Sequence, residues 1–138
     1  MIRHLERALV LGAVGVAAEV LFTAFAAPSG GARLVGFSYV WMLPIYMLLY
    51  PGFLLLTPVL GRRPWWLRAG AYAAGIMTVE LLTGLALKAL LGDAPWDPGY
   101  RQARWNVLGV VRLDYFPAWA AGALVFERAH RLLTGTAD

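Results

Sequence analysis

Apolar residues run along this chain in four long blocks, separated by short joints rich in Arg, Pro and Gly. Residues 8–27 contain one charge, Glu19; residues 35–60 contain none; residues 69–91 contain two, Glu80 and Lys88; a last block covers about 115–133. A helix that crosses a bilayer needs about 20 mostly apolar residues. The pattern therefore predicts an all-α integral membrane protein with about four transmembrane helices in a bundle. These fill residues 1–138 as a single transmembrane domain. The first block imitates a secretion signal, with Arg3 and Arg7 ahead of it and Ala24-Phe25-Ala26 as a small-residue site. A Glu inside the apolar stretch, and the length of that stretch, fit a retained span instead.

Two blocks are irregular. In the second, Pro44, Pro51 and Pro58 recur every seven residues and share a helix face. Each proline frees the carbonyl four residues before it, those of Val40, Met47 and Leu54. The stripe reads either as a curved or broken helix whose carbonyls are met by neighbours, or as the wall of a polar cavity. Pro51-Gly52 is the expected break. The fourth block is short unless its helix extends to about Leu133. Residues 105–114 before it are apolar but interrupted, and they read as a separate extended or re-entrant segment. Pro117 suits the first turn of a helix that begins after them. Alternatively the segment lengthens the helix and carries Arg112 and Asp114 into the bilayer.

Composition supports the membrane assignment. Apolar residues make up 60% of the chain and charged residues 14%, with a mean hydropathy of +0.63. Soluble domains average about 45–50% and about 25%. A disordered tail, a collagen-like repeat and a typical soluble enzyme are excluded. With no cysteine, so are disulfides, thiolate catalysis and Cys-based zinc sites. Lys and Arg set the orientation. Four spans put Arg3, Arg7, Arg62, Arg63, Arg68, Arg128 and Arg131 on one side. Arg33, Arg101, Arg104, Arg112 and Lys88, which can snorkel, fall on the other. Seven against five favours a multi-pass protein of the cell membrane with both termini in the cytoplasm. The net charge of +4 then faces anionic lipid, and nucleic acid is not an expected partner because the basic residues form no single stripe. Trp65-Trp66, Trp96, Tyr100 and Trp105 read mostly as interfacial anchors.

The charges inside the spans demand partners. Glu19 and Glu80 fall near the middles of their blocks, where a charge costs about 2.5–3.5 kcal/mol on insertion scales. Gly12, Gly15 and Glu19 share a helix face, as do Glu80, Gly84 and Lys88, with Thr83 alongside; such small-residue stripes let helices approach closely. Arg112 is the expected partner of one or both acids, since its guanidinium can bind a carboxylate bidentately. The set reads as a structural ion pair or as a cavity for a head group, a cation or a proton. Trp96-Asp97-Pro98-Gly99 reads as an ordered turn, and the Asn106 amide is suited to hold the segment that follows. His4 and His130 have no metal-ligand spacing and read as solvated. No GxxxxGK[ST], GxSxG or HExxH motif occurs, so neither a metal nor another cofactor is expected, and no ATPase or hydrolase chemistry is signalled.

In order along the chain stand a membrane Glu in the first helix, Gly36, Pro44-Ile45-Tyr46, Glu80-Leu-Leu-Thr-Gly84, the Trp96-Asp97 turn, then Asn106, Gly109 and Arg112-Leu113. This set resembles the putative ABC-transporter type IV (CmpB-like) family, and eukaryotic transmembrane protein 229 is similar. The resemblance covers about residues 8–128. Pro98-Gly99 stands where the family often has Tyr-Ser, and Met47 where it usually has Gly. The resemblance implies a permease-like transporter or transporter subunit, whose ATPase would be another chain and which would assemble as a homo-oligomer or with a partner. The expected polar site comprises Glu19, Glu80, Arg112, Asp97, Asn106, Tyr46, Thr83 and Trp96. The alternatives are a non-catalytic lipid-binding or scaffold protein and, last, a membrane enzyme acting on a lipid through Glu80 and Asp97.

Overall fold

The computed structural model describes residues 2–26 and 33–136, with the Asp97 side chain left aside. The described residues form an all-α bundle with one short hairpin. Helix α1 covers Ile2–Ala26, α2 Met42–Met47, α3 Leu49–Leu60, α4 Trp65–Leu91, α5 Asp97–Tyr100 and α6 Phe116–Thr134. Among the described residues, Ile2–Ala26, Met42–Leu60 and Trp65–Leu91 are long and apolar enough to cross a membrane. Helix α6 packs on α1, α3 and α4 and has 19 residues, about 28 Å at 1.5 Å per residue, but carries Glu127, Arg128, His130 and Arg131 in its last turns. Leu55, Leu82 and Leu90 point outward, as lipid-facing side chains do.

The second span starts later than the apolar block. Residues 33–39 are extended instead of helical. A helix here would contain Gly36 and Ser38, both weak helix formers, beside β-branched and aromatic residues. The extended chain lies against α1. Gly36 sits on the Val20 carbonyl, where a Cβ would collide with main chain, and the Thr23 hydroxyl both accepts from the Phe37 N–H and donates to its carbonyl, each at 2.9 Å. Thr23 thereby satisfies both main-chain polar groups of Phe37.

The break in this span is at Leu48, not at Pro51-Gly52. Proline disturbs the turn before it, because its ring meets the carbonyl four residues back and it has no N–H to offer. Met47 is that residue for Pro51. The Leu48 N–H turns to Ile45 O in a tighter bond of 3.0 Å, and the Gly52 N–H resumes the helical ladder to Leu48 O. All three prolines are exposed on the outer face, so the stripe is a bend toward lipid and not a cavity wall.

Residues 105–114 form the extended segment expected from their interrupted pattern. Asn106–Val107 pairs antiparallel with Val111–Arg112, a 3-10 turn over Leu113–Tyr115 follows, and α6 begins with Pro117 in its first turn. Leu108 and Gly109 have positive φ and the Val110 N–H bonds Val107 O, so the ribbon turns tightly. Lys88 reaches out from α4 to donate to Leu108 O at 3.1 Å. Val110 is fully buried against Gly84 of α4.

Gly84 sets how close the hairpin comes. A Cβ there would stand 2.8 Å from Val110 Cβ and 3.2 Å from the Trp96 ring. Gly84→Ala is expected to destabilise the protein by about 1–3 kcal/mol, the usual effect of overpacking. Thermal unfolding in a mild detergent checks this. Wild-type stability in the variant would contradict the packing.

Candidate functional site

Gly15 permits the approach that builds the site. Its backbone lies directly on the Tyr46 ring, and Gly12 lies against Met47 and Leu43, so the α2 side chains pack straight onto the α1 backbone. Tyr46 is thereby fixed between α1 and α4, within electrostatic reach of both Glu19 and Glu80. A cavity of about 340 Å³ opens beside it, lined by Glu19, Tyr46, Glu80, Trp96 and Arg112, with Tyr100 and Trp119 completing its polar rim. That volume is in the range of small-molecule sites.

Among the described residues no basic side chain bonds either acid; hydroxyl groups hold both. Glu19 is half-buried, and one of its carboxylate oxygens accepts from the Ser38 hydroxyl at 2.6 Å. Ser38 is available only because residues 33–39 run extended along α1. Glu80 is 5% exposed, and its Oε1 accepts from the Tyr100 hydroxyl at 3.1 Å. Its Oε2 is buried and has beside it only the Trp119 indole N–H, a buried donor with no other partner. A buried polar atom left bare costs about 1–3 kcal/mol. Outside the spans, burial first and then the Glu80 carboxyl push the Tyr100 phenol well above its ordinary range, so it remains a donor.

Arg112 does not pair with either acid. Its Nε and one terminal nitrogen bind both oxygens of Asp114 at 3.2 and 2.5 Å, and the other nitrogen donates to the Tyr115 hydroxyl at 2.9 Å. The 3-10 turn brings Asp114 back onto Arg112 two residues away, a contact that needs little chain ordering. Arg112 remains on the cavity wall, with its guanidinium 4.1 Å from the Tyr115 ring centroid and 6.0 Å from that of Tyr100.

The structure thus brings Glu19, Tyr46, Glu80, Trp96 and Arg112 to one cavity. Thr83 instead bonds its own helix at Val79 O, 2.7 Å. Asn106 holds the hairpin, donating to Ala103 O at 2.6 Å and accepting from the Gly109 N–H at 3.0 Å. The Asp97 side chain lies outside the described residues, and with it the proposed Glu80–Asp97 acid–base pair. Trp96 and Tyr100 turn inward instead of anchoring at an interface, and Trp96 donates to Val110 O at 2.9 Å. Trp65, Trp66 and Trp105 stay exposed. Sequence reading missed Ser38, Tyr100 and Trp119, and only the spacing of Tyr100 from the Trp96 turn hinted at one of them.

A second polar cluster closes the opposite end of the bundle. Glu127 is 3% exposed and takes Arg68 Nε at 3.1 Å and Arg131 at 3.0 Å. His130 is buried against Phe53 and Tyr50, and neither ring nitrogen has a hydrogen-bond partner, so it is not solvated as expected. His4 instead bonds the Tyr50 hydroxyl at 2.8 Å. Among the described residues no group of His, Cys, Asp and Glu is placed to hold a metal ion.

The family model described as putative ABC-transporter type IV matches residues 9–136, and the chain belongs to that family. No curated protein and no solved structure matches it.

Two outcomes follow from the ion pairs. Glu127→Gln leaves two partly buried arginines without their counter-charge and should destabilise the protein by about 3 kcal/mol. Thermal unfolding of the variant checks this, and an unchanged midpoint would contradict it. Its bond to Arg112 holds the Asp114 carboxyl below the ordinary 3.8. A depressed folded value means the bridge contributes fully above about pH 3.8 and is lost as pH falls through that lower value. The NMR signal of the Arg112 Nε–H should therefore stay constant down to about pH 4 and move only below it, whereas Asp114→Asn should show the moved signal at neutral pH. A midpoint above the carboxylate range would contradict the pairing.

Proposed function

We propose that this member of the putative ABC-transporter type IV family is a permease-like transporter or transporter subunit, and that its intramembrane polar site is the cavity holding Glu19 and Glu80. The observation that carries the reading is the buried Glu80 carboxylate, whose Oε2 has only the Trp119 indole N–H beside it, on the wall of a cavity large enough for a small molecule. Intramembrane acids almost always face the bundle interior and mark substrate or ion pathways. Arg112, already neutralised by Asp114, borders the site and adds little net charge to it. An ATPase, where one is used, comes from another chain. Four short helices give a narrow path, which favours assembly with a second copy or a partner.

The arginine distribution favours a cytoplasmic position for the Glu127 end and for both termini. Arg68, Glu127 and Arg131 meet there, and His4 lies near His130 through Tyr50. The cavity end, with α5 and the hairpin, then faces outward.

The hydrogen bonds from Ser38 and Tyr100 also favour a second reading, a scaffold in which the acids only lock the bundle. Native mass spectrometry of the protein released from lipid nanodiscs separates the two. A small molecule retained by the wild type and lost in Glu19→Gln or Glu80→Gln supports the site. A bare species, with Gln variants that differ only in stability, supports the scaffold.

A further inference from the structure

The polar site proposed above has a chemical preference that its walls define. Both acids face it, and Arg112, the one basic residue among the described residues lining it, is paired to Asp114. The surplus charge of the cavity is negative wherever either acid is ionised. Its remaining surface is dominated by aromatic rings, among them Tyr39, Tyr46, Trp96, Tyr100, Tyr115 and Trp119. These rings are linked around the wall, with centroids 6.5 Å apart for Tyr39 and Trp96, 6.3 Å for Tyr46 and Trp119, and 6.0 Å for Tyr100 and Tyr115.

Aromatic faces attract cations within about 6 Å of the ring centroid, and the attraction grows when water is excluded. The chain already uses this at the cavity edge, where the Arg112 guanidinium stands 4.1 Å from the Tyr115 centroid. Calcium takes a shell of 6–8 oxygens, and among the described residues no group of Asp, Glu, His or Cys is placed to hold a metal ion. An organic ammonium ion needs no such shell. Its charge meets the acids and its C–H surface meets the rings.

We infer that the site takes an organic ammonium ion, held by Glu19 and Glu80 within the aromatic wall of Tyr39, Tyr46, Trp96, Tyr100 and Trp119. This rests on the reading of the cavity as a ligand site. The Glu80 carboxylate, on the cavity wall together with Glu19, is the charge that the ammonium ion meets. The ion can arrive free or as the head group of a lipid, since a trimethylammonium or amine group presents the same surface in both.

The test uses the full chain in nanodiscs of phosphatidylglycerol, titrated with choline and with its neutral isostere 3,3-dimethylbutan-1-ol, read by tryptophan fluorescence and calorimetry. Choline is expected to bind at least 10-fold tighter than the alcohol. Glu80→Gln and Glu19→Gln should each weaken choline at least 10-fold and leave the alcohol unchanged. Tyr39→Leu, which keeps the apolar surface and removes the π face, should weaken choline by about 2- to 30-fold. Circular dichroism on each variant confirms that it is folded. Repeating the titration in phosphatidylcholine nanodiscs separates the sources. Suppressed choline binding means the lipid head group occupies the site, and unchanged binding means the free ion does; both uphold the ammonium class. Equal affinity for choline and the alcohol, with both lost in the Gln variants, overturns the class while leaving a polar site in place. No binding of either probe, or choline binding indifferent to both acids, also overturns the proposal.

Discussion

Close backbone approach at a few glycines is the constraint on which this structure depends. Gly15 on the Tyr46 ring joins α1 to α2, Gly36 on the Val20 carbonyl lays the extended segment along α1, and Gly84 against Val110 seats the hairpin on α4. Between lipid-exposed helices there is no hydrophobic driving force to hold them together, so contact distance and polar bonds set the packing. Each of these contacts also places a cavity residue. Gly15 positions Tyr46, Gly36 delivers Ser38 to Glu19, and Gly84 admits the hairpin whose end carries Arg112.

The bundle is polarised by how its charges are met. At one end Glu127 has two arginines, and at the other Arg112 has Asp114. Glu19 and Glu80 have a serine and a tyrosine instead. Hydrogen bonds from neutral groups supply no counter-charge. Among the described residues, one end gathers two arginines on a single glutamate, the other pairs Arg112 with Asp114, and the cavity acids Glu19 and Glu80 meet no basic group.

Much of the fold was legible in the sequence because helix length and apolar content are forced by the bilayer. Four apolar blocks became the helical layers, Pro117 opened the last helix, and the interrupted run before it became the hairpin. The inward placement of Glu19 and Glu80 followed from the cost of charge in lipid and from the glycines beside them. What escaped were features that depend on tertiary contact. The break at Leu48 came one turn before Pro51 because proline acts on the preceding carbonyl. Residues 33–39 are apolar enough for a helix, yet Thr23 and Gly36 bind them in extended form. Arg112 chose Asp114 because a neighbour two residues away costs less ordering than an acid on another helix. Burial of His130 depends on Phe53 and Tyr50, which no local pattern connects to it.

The polar site, as proposed, is selectively attractive to positive charge because Glu19 and Glu80 line it. The chain has no cysteine, and a Cβ at Gly99, on the cavity wall, would meet nothing within 4 Å. The most direct measurement is the rate at which a single thiol in Gly99→Cys reacts with a trimethylammonium-bearing and a sulfonate-bearing thiosulfonate. Under that proposal a cation-to-anion rate ratio at least 10-fold above that of a free thiol is expected, falling toward the free value when Glu19→Gln and Glu80→Gln are added. A ratio equal to that of the free thiol, or one that persists without either acid, would contradict it.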